Sequence, residues 1–141
     1  MEEHRAPSSR QRWCRLTLRA AVTVHAALAL WQTVLAGRFL SGNYDALDLH
    51  AANAMAIAGT GLVQLVTAIL LWRPGRGPWW PMTASLALVA AEVGEMRLGY
   101  ARALAIHIPL GTTIVAAVLM LMVWSWKPIG RHTAVTAGAD A

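Results

Sequence analysis

Five ionisable side chains lie inside otherwise apolar stretches of this sequence: His25, His50, Glu92, Glu95 and His107, with Gln32 and Asn53 as polar neighbours. Such groups are costly to place in a membrane and mark function by default. Two of them share a depth. Counted from the expected helix starts, His50 lies about three residues and His107 about five residues inside its helix, roughly 5–8 Å in at 1.5 Å rise per residue. They belong to the second and fourth apolar segments, which run parallel at opposite corners of a four-helix bundle. Their imidazoles can face one another across the core. That arrangement suits a porphyrin with iron ligated on both faces, because histidine is a common axial haem ligand and bundle cores are where such sites are built. The alternative is a hydrogen bond between two neutral imidazoles. Zinc would want three or four ligands, and only two histidines share that level. The single cysteine, Cys14, can form no internal disulfide and excludes a Cys-based zinc or iron–sulfur site.

The neighbours of the two histidines suit a flat macrocycle. Ala51, Ala52, Ala54 and Gly59 keep the second helix slim, and Gly111 with Thr112 and Thr113 does so one turn beyond His107. The same small residues also allow close helix packing without a ligand. Arg38, Arg97 and Arg102 lie at the outer mouth, where they either hold haem propionates by charge-assisted hydrogen bonds or position the helices at the interface. Gln32 and Glu92 sit at matching depth. A lone buried carboxylate is expensive, so Glu92 is expected to be protonated or hydrogen-bonded, at a haem edge, in a proton relay or in packing. Glu95, one turn nearer the surface, is expected to pair with Arg97 or Arg38. His25 lies deeper, level with no other histidine. It is expected as a satisfied polar side chain facing the bundle, with a second haem or a quinone contact as the alternative. Met120 and Met122 are expected as core or lipid-facing residues.

Four apolar segments must position these groups, at about 16–40, 47–72, 79–98 and 102–126, each near the ~20 residues that a bilayer requires. Glu92 and Glu95 weaken the third. Residues 1–15 form a basic leading segment and 127–141 a polar tail. The first apolar run is too long for a cleavable signal peptide. Short connections imply an antiparallel, up-down-up-down bundle. With the N-terminus inside, Arg5, Arg10, Arg12, Arg15, Arg19, Arg73, Arg76, Lys127 and Arg131 lie inside, and Arg38, Arg97 and Arg102 outside. Nine against three places both termini in the cytoplasm, in a multi-pass protein of the cell membrane. Trp72, Trp79, Trp80, Trp124 and Trp126 fall at the same inner interface, where amphipathic rings prefer to sit. Asp45 and Asp48 belong to the first outer loop and the start of the second helix, where the dipole favours a carboxylate. A weak two-helix repeat relates Gln32, Arg38, Leu40, Gly42 and His50 to Glu92, Arg97, Leu98, Gly99 and His107.

Composition agrees. Of 141 residues, 57% are hydrophobic and 13% charged, about half the usual charged fraction of ~25%. Mean hydropathy is +0.46. These values argue against a soluble enzyme, a disordered chain and a disulfide-stapled secreted domain. The net charge of +5 invites a nucleic-acid reading, but the arginines flank apolar runs and instead orient a membrane protein.

The stretches LDLHAANAMAIAGTGLVQLVTAIL and ALAIHIPLGTTIVAAVLMLM resemble the histidine-bearing second and fourth helices of one half of haem A synthase, and LWQTVLAGRFLSG resembles that family's first helix. The resemblance covers roughly Val22 to Trp124. The family is usually built as two four-helix halves, one holding a haem b cofactor and the other the substrate haem. The resemblance implies that His50 and His107 are axial ligands. The substrate half typically has a glutamate three residues before its first histidine and an arginine just after it; here those positions are Leu47 and Ala51. The chain therefore resembles the cofactor half. The expected reading is a small cytochrome b-like bundle binding one haem b, in electron transfer or haem handling, without catalytic residues of its own. Its expected partners are the lipid bilayer and haem, in a homodimer or a larger membrane complex. A half-size haem-modifying enzyme and a haem-free or transporter-like subunit are the alternatives. No midplane pair of broken helices favours transport.

Overall fold

The computed structural model describes residues 8–128, and Arg5, Arg131 and most of the expected tail lie outside them. The first helix begins where a cap is available. The Ser8 side chain accepts a hydrogen bond from the Gln11 backbone amide at 3.2 Å, satisfying one of the free amides at a helix start. Helix α1 therefore spans Ser9–Leu40, reaching back beyond the apolar stretch that starts at Leu16. Helices α2 (Ala46–Trp72), α3 (Trp80–Tyr100) and α4 (Leu104–Trp126) complete an all-helical chain. Pro81 stands in the first turn of α3, where its missing amide costs nothing.

The two turns nearest the histidines share one hydrogen-bond pattern, in a register that pairs Gly42 with Arg102 and not with Gly99. After α1, Gly42 donates to the Phe39 carbonyl and Asn43 to the Arg38 carbonyl; after α3, Arg102 donates to the Gly99 carbonyl and Ala103 to the Leu98 carbonyl. Gly42 takes φ 92° and Arg102 takes φ 56°. This left-handed residue stops α3 and moves the start of α4 from the expected Arg102 to Leu104. A side chain pays a steric cost of about 1–2 kcal/mol in that conformation. Arg102→Gly is therefore expected to raise stability by about 1 kcal/mol, read as a higher unfolding midpoint in detergent. An unchanged or lower midpoint contradicts that account.

Helices α1 and α3 each pack against both α2 and α4, and the two diagonals, α1–α3 and α2–α4, make no backbone approach. Near the two turns just described, Gln32 reaches the His50 carbonyl and Asn53 reaches the Leu28 carbonyl, each at 3.0 Å. We call this the histidine end. At the other, tryptophan end, Leu18, Ala68 and Leu71 pack with Trp124. There Arg19 donates to the Ser125 carbonyl at 2.6 Å and Arg15 to the Lys127 carbonyl at 2.7 Å. Those carbonyls are unpaired at a helix C-terminus, which also favours cations. Trp80 and Trp124 meet edge to face at 4.3 Å, and Arg19 lies over the Trp126 ring at 5.3 Å. Between the ends lies an apolar core of Val22, Ala26, Leu88, Ile114, Val118 and Leu121.

Helices α1, α2 and α4 are long and apolar enough to cross a membrane. The burial pattern suits that environment. Trp31, Met55, Val66 and Met120 point outward, while His25, Gln64, Ser85 and Glu92 are buried. In α3, Glu92, Glu95 and Arg97 lower the apolar character.

Candidate functional site

His50 is the fifth residue of α2 and His107 the fourth of α4. These helices lie on a diagonal, and the imidazoles fill the gap between them. Their ring centres are 6.3 Å apart and the ring planes cross at 66°. Their depths match, although His50 is now the deeper from its helix start, because α2 begins one residue earlier and α4 two residues later than expected.

Each histidine has its own support. His107 Nδ1 lies 2.9 Å from a Glu95 carboxylate oxygen and 3.1 Å from the Glu95 backbone carbonyl. Both are acceptors for an Nδ1–H, which leaves the Nε2 lone pair free. Gly99 lets the ring approach, since a Cβ there would stand 3.0 Å from His107 Cε1. The room beside Gly111 is taken by Glu95, whose Oε1 would be 2.6 Å from a Cβ at that position. Glu95 thus turns to His107 and not to Arg97 or Arg38, because burial between α3 and α4 brings the imidazole closer than the exposed guanidinium groups.

His50 is held through its backbone. Gln32 Nε2 donates to its carbonyl, and Gln32 Oε1 accepts from Asn53 Nδ2 at 2.7 Å. The His50 Nδ1 atom is buried with no hydrogen-bond partner. Arg38, Arg97 and Arg102 all lie exposed at the histidine end.

A second polar cluster lies on the other diagonal. His25 of α1 and Glu92 of α3 approach to 3.0 Å, with 0% and 4% of their surfaces exposed. His25 Nδ1 meets Gln64 Oε1 at 2.9 Å, and Gln64 Nε2 donates to Ser85 Oγ at 3.1 Å. Gly61 makes room for Glu92, whose Oε2 would be 2.6 Å from a Cβ there. Glu92 and Gln32, expected as counterparts, therefore serve different pairs of helices. Gln64 and Ser85 were not singled out in the sequence, although Gln64 interrupts the run Leu62–Val66 and is the signal that could have exposed the network. Cys14 is far from both clusters, among residues at the tryptophan end.

Among the described residues, no group of three or more His, Cys, Asp or Glu side chains is placed to hold a metal ion by itself. The donor set at the histidine end is two imidazoles. Comparison with family models, with curated proteins and with solved structures found no match.

Proposed function

We propose that this chain is a membrane haem b-binding protein, with His50 and His107 as the two axial ligands of one iron. The observation that carries the reading is the 6.3 Å between ring centres on diagonally opposed helices. With metal–imidazole bonds of about 2 Å and about 1.1 Å from ring centre to nitrogen, two imidazoles on one metal have centres roughly 6 Å apart. Further support comes from Glu95, since a metal-bound histidine almost always donates its other ring N–H to a carboxylate, carbonyl or water. The unpartnered His50 Nδ1 is free to take such a partner. In this reading Arg38, Arg97 and Arg102 supply cations for the propionates, and Gln32 fixes the backbone that carries His50. Haem held by two histidines supplies one-electron transfer with no open coordination site.

The bundle is read as antiparallel, with α3 as the fourth span and the histidine end outside the cytoplasm. Imidazole partners for Glu92 and Glu95 lower the cost of placing α3 in the bilayer. The likeness to the cofactor half of haem A synthase agrees, and no carboxylate at Leu47 favours synthesis of a modified haem. Protein expressed with haem supply and purified in detergent is expected to be red, with a low-spin Soret band. His50→Ala and His107→Ala are each expected to abolish that spectrum or convert it to high spin. A colourless, folded wild-type protein sinks the proposal and leaves the haem-free bundle.

A further inference from the structure

The His25–Glu92 pair is buried at the centre of the bundle, and the function above makes no use of it. Its protonation follows from the hydrogen bonds. Gln64 Nε2 donates to Ser85, so Gln64 Oε1 is an acceptor, and His25 Nδ1 carries a hydrogen. The other ring nitrogen, Nε2, faces Glu92 Oε1. One proton on either atom makes the pair neutral overall, as imidazole with carboxylic acid or as imidazolium with carboxylate. Two protons, or none, leave an isolated charge in the interior, which is costly.

The pair is not closed on itself. Nε2 and Oε1 stand at ion-pair distance without completing an aligned hydrogen bond, and Glu92 Oε2 has no partner. Glu95 Oε2 and His50 Nδ1 are also buried without partners, and both lie toward the histidine end. Buried polar atoms lacking partners are places for ordered water. In the opposite direction, Val22 and Leu88 stand one turn from His25 and Glu92 within the apolar core, and on that side Gln64 and Ser85 bond to each other. The titratable neighbours are few. Helix α2 brings Gln64 and Gly61, neither titratable, against the pair; α3 has Glu95 one turn on, and the single titratable residue of α4 is His107, which Glu95 holds.

We propose that His25 and Glu92 form a proton-binding site, holding one exchangeable proton that reaches solvent through water at Glu92 Oε2 on the histidine side. Exchange with that water passes through a short-lived, costly state of neutral imidazole and carboxylate, and uptake of a solvent proton restores the neutral pair. The site stands independently of haem. Glu92 lies one helical turn from Glu95, which holds His107.

The test uses metal-free protein in detergent with ring-15N histidine, the His25 signals being those lost in His25→Gln. The proton on the Nε2 side is expected to exchange into D2O within minutes in the wild type. Gly61→Ala sets a methyl group against Oε2 and is expected to slow that exchange at least about tenfold; Glu92→Gln, which removes the carboxylate that shares the proton, is expected to leave His25 Nε2 without an exchangeable proton. If Glu92→Gln does not fold, Gly61→Ala decides alone. A wild-type proton that survives for days, or equal exchange in wild type and Gly61→Ala, overturns the proposal. Because no haem is present, a colourless protein does not affect the outcome.

Discussion

His25→Leu is expected to destabilise the protein by about 3–5 kcal/mol, while the double variant His25→Leu/Glu92→Leu recovers most of that loss. The reason is the burial of both partners, 0% and 4% exposed. Removing one partner leaves the other in the interior with its charge or hydrogen bond unmatched. Removing both replaces a desolvated pair by apolar side chains, which is often neutral or stabilising. Ordinary interhelical hydrogen bonds in membranes average about 0.6 kcal/mol, so the loss of the Gln64 contact alone cannot account for several kcal/mol. Glu92→Leu is expected to cost less, about 1–3 kcal/mol, because a neutral imidazole keeps its bond to Gln64. Unfolding midpoints in one detergent, combined as a double-variant cycle, measure the coupling. Additive effects of the two substitutions would show that the pair contributes nothing jointly.

The number of helices and the meeting of His50 with His107 were legible because both follow from segment length and order. Four apolar runs joined by short turns leave the second and fourth on a diagonal, and two histidines at similar distances from their turns then face one another. The second cluster was not legible for a physical reason. A helix in lipid is apolar on its outer face as well as its inner one, so hydrophobic periodicity says little about its rotation. Whether Glu92 meets Gln32, His25 or an arginine depends on that rotation. Comparing histidines only with histidines left His25 without a partner at its depth, although the partner is a carboxylate on the opposite helix. The start of α4 was misplaced for a local reason: Arg102 carries a conformation that usually belongs to glycine, and nothing in its side chain signals it. Glu95 illustrates the limit of reading charge alone. Arginine is its obvious partner by charge, yet Arg38 and Arg97 are exposed while His107 packs beside it at 2.9 Å.

That contact sets the second large effect. Haem titrated into the metal-free protein is expected to bind Glu95→Gln about 10–100-fold more weakly than wild type, the usual cost of losing the hydrogen-bond partner of a ligating histidine. The glutamine side chain keeps the volume beside Gly111, so packing is preserved. It also keeps a carbonyl acceptor, but not the carboxyl group that stands against Nδ1. The Glu95 backbone carbonyl, 3.1 Å from Nδ1, remains as a second acceptor, so binding is weakened and not abolished. His107→Ala removes the ligand itself and is expected to eliminate low-spin binding. The order wild type, Glu95→Gln, His107→Ala thus separates an orienting carboxylate from one that only fills space. Equal haem affinity in wild type and Glu95→Gln would mean that the carboxyl group does nothing for His107 as a ligand.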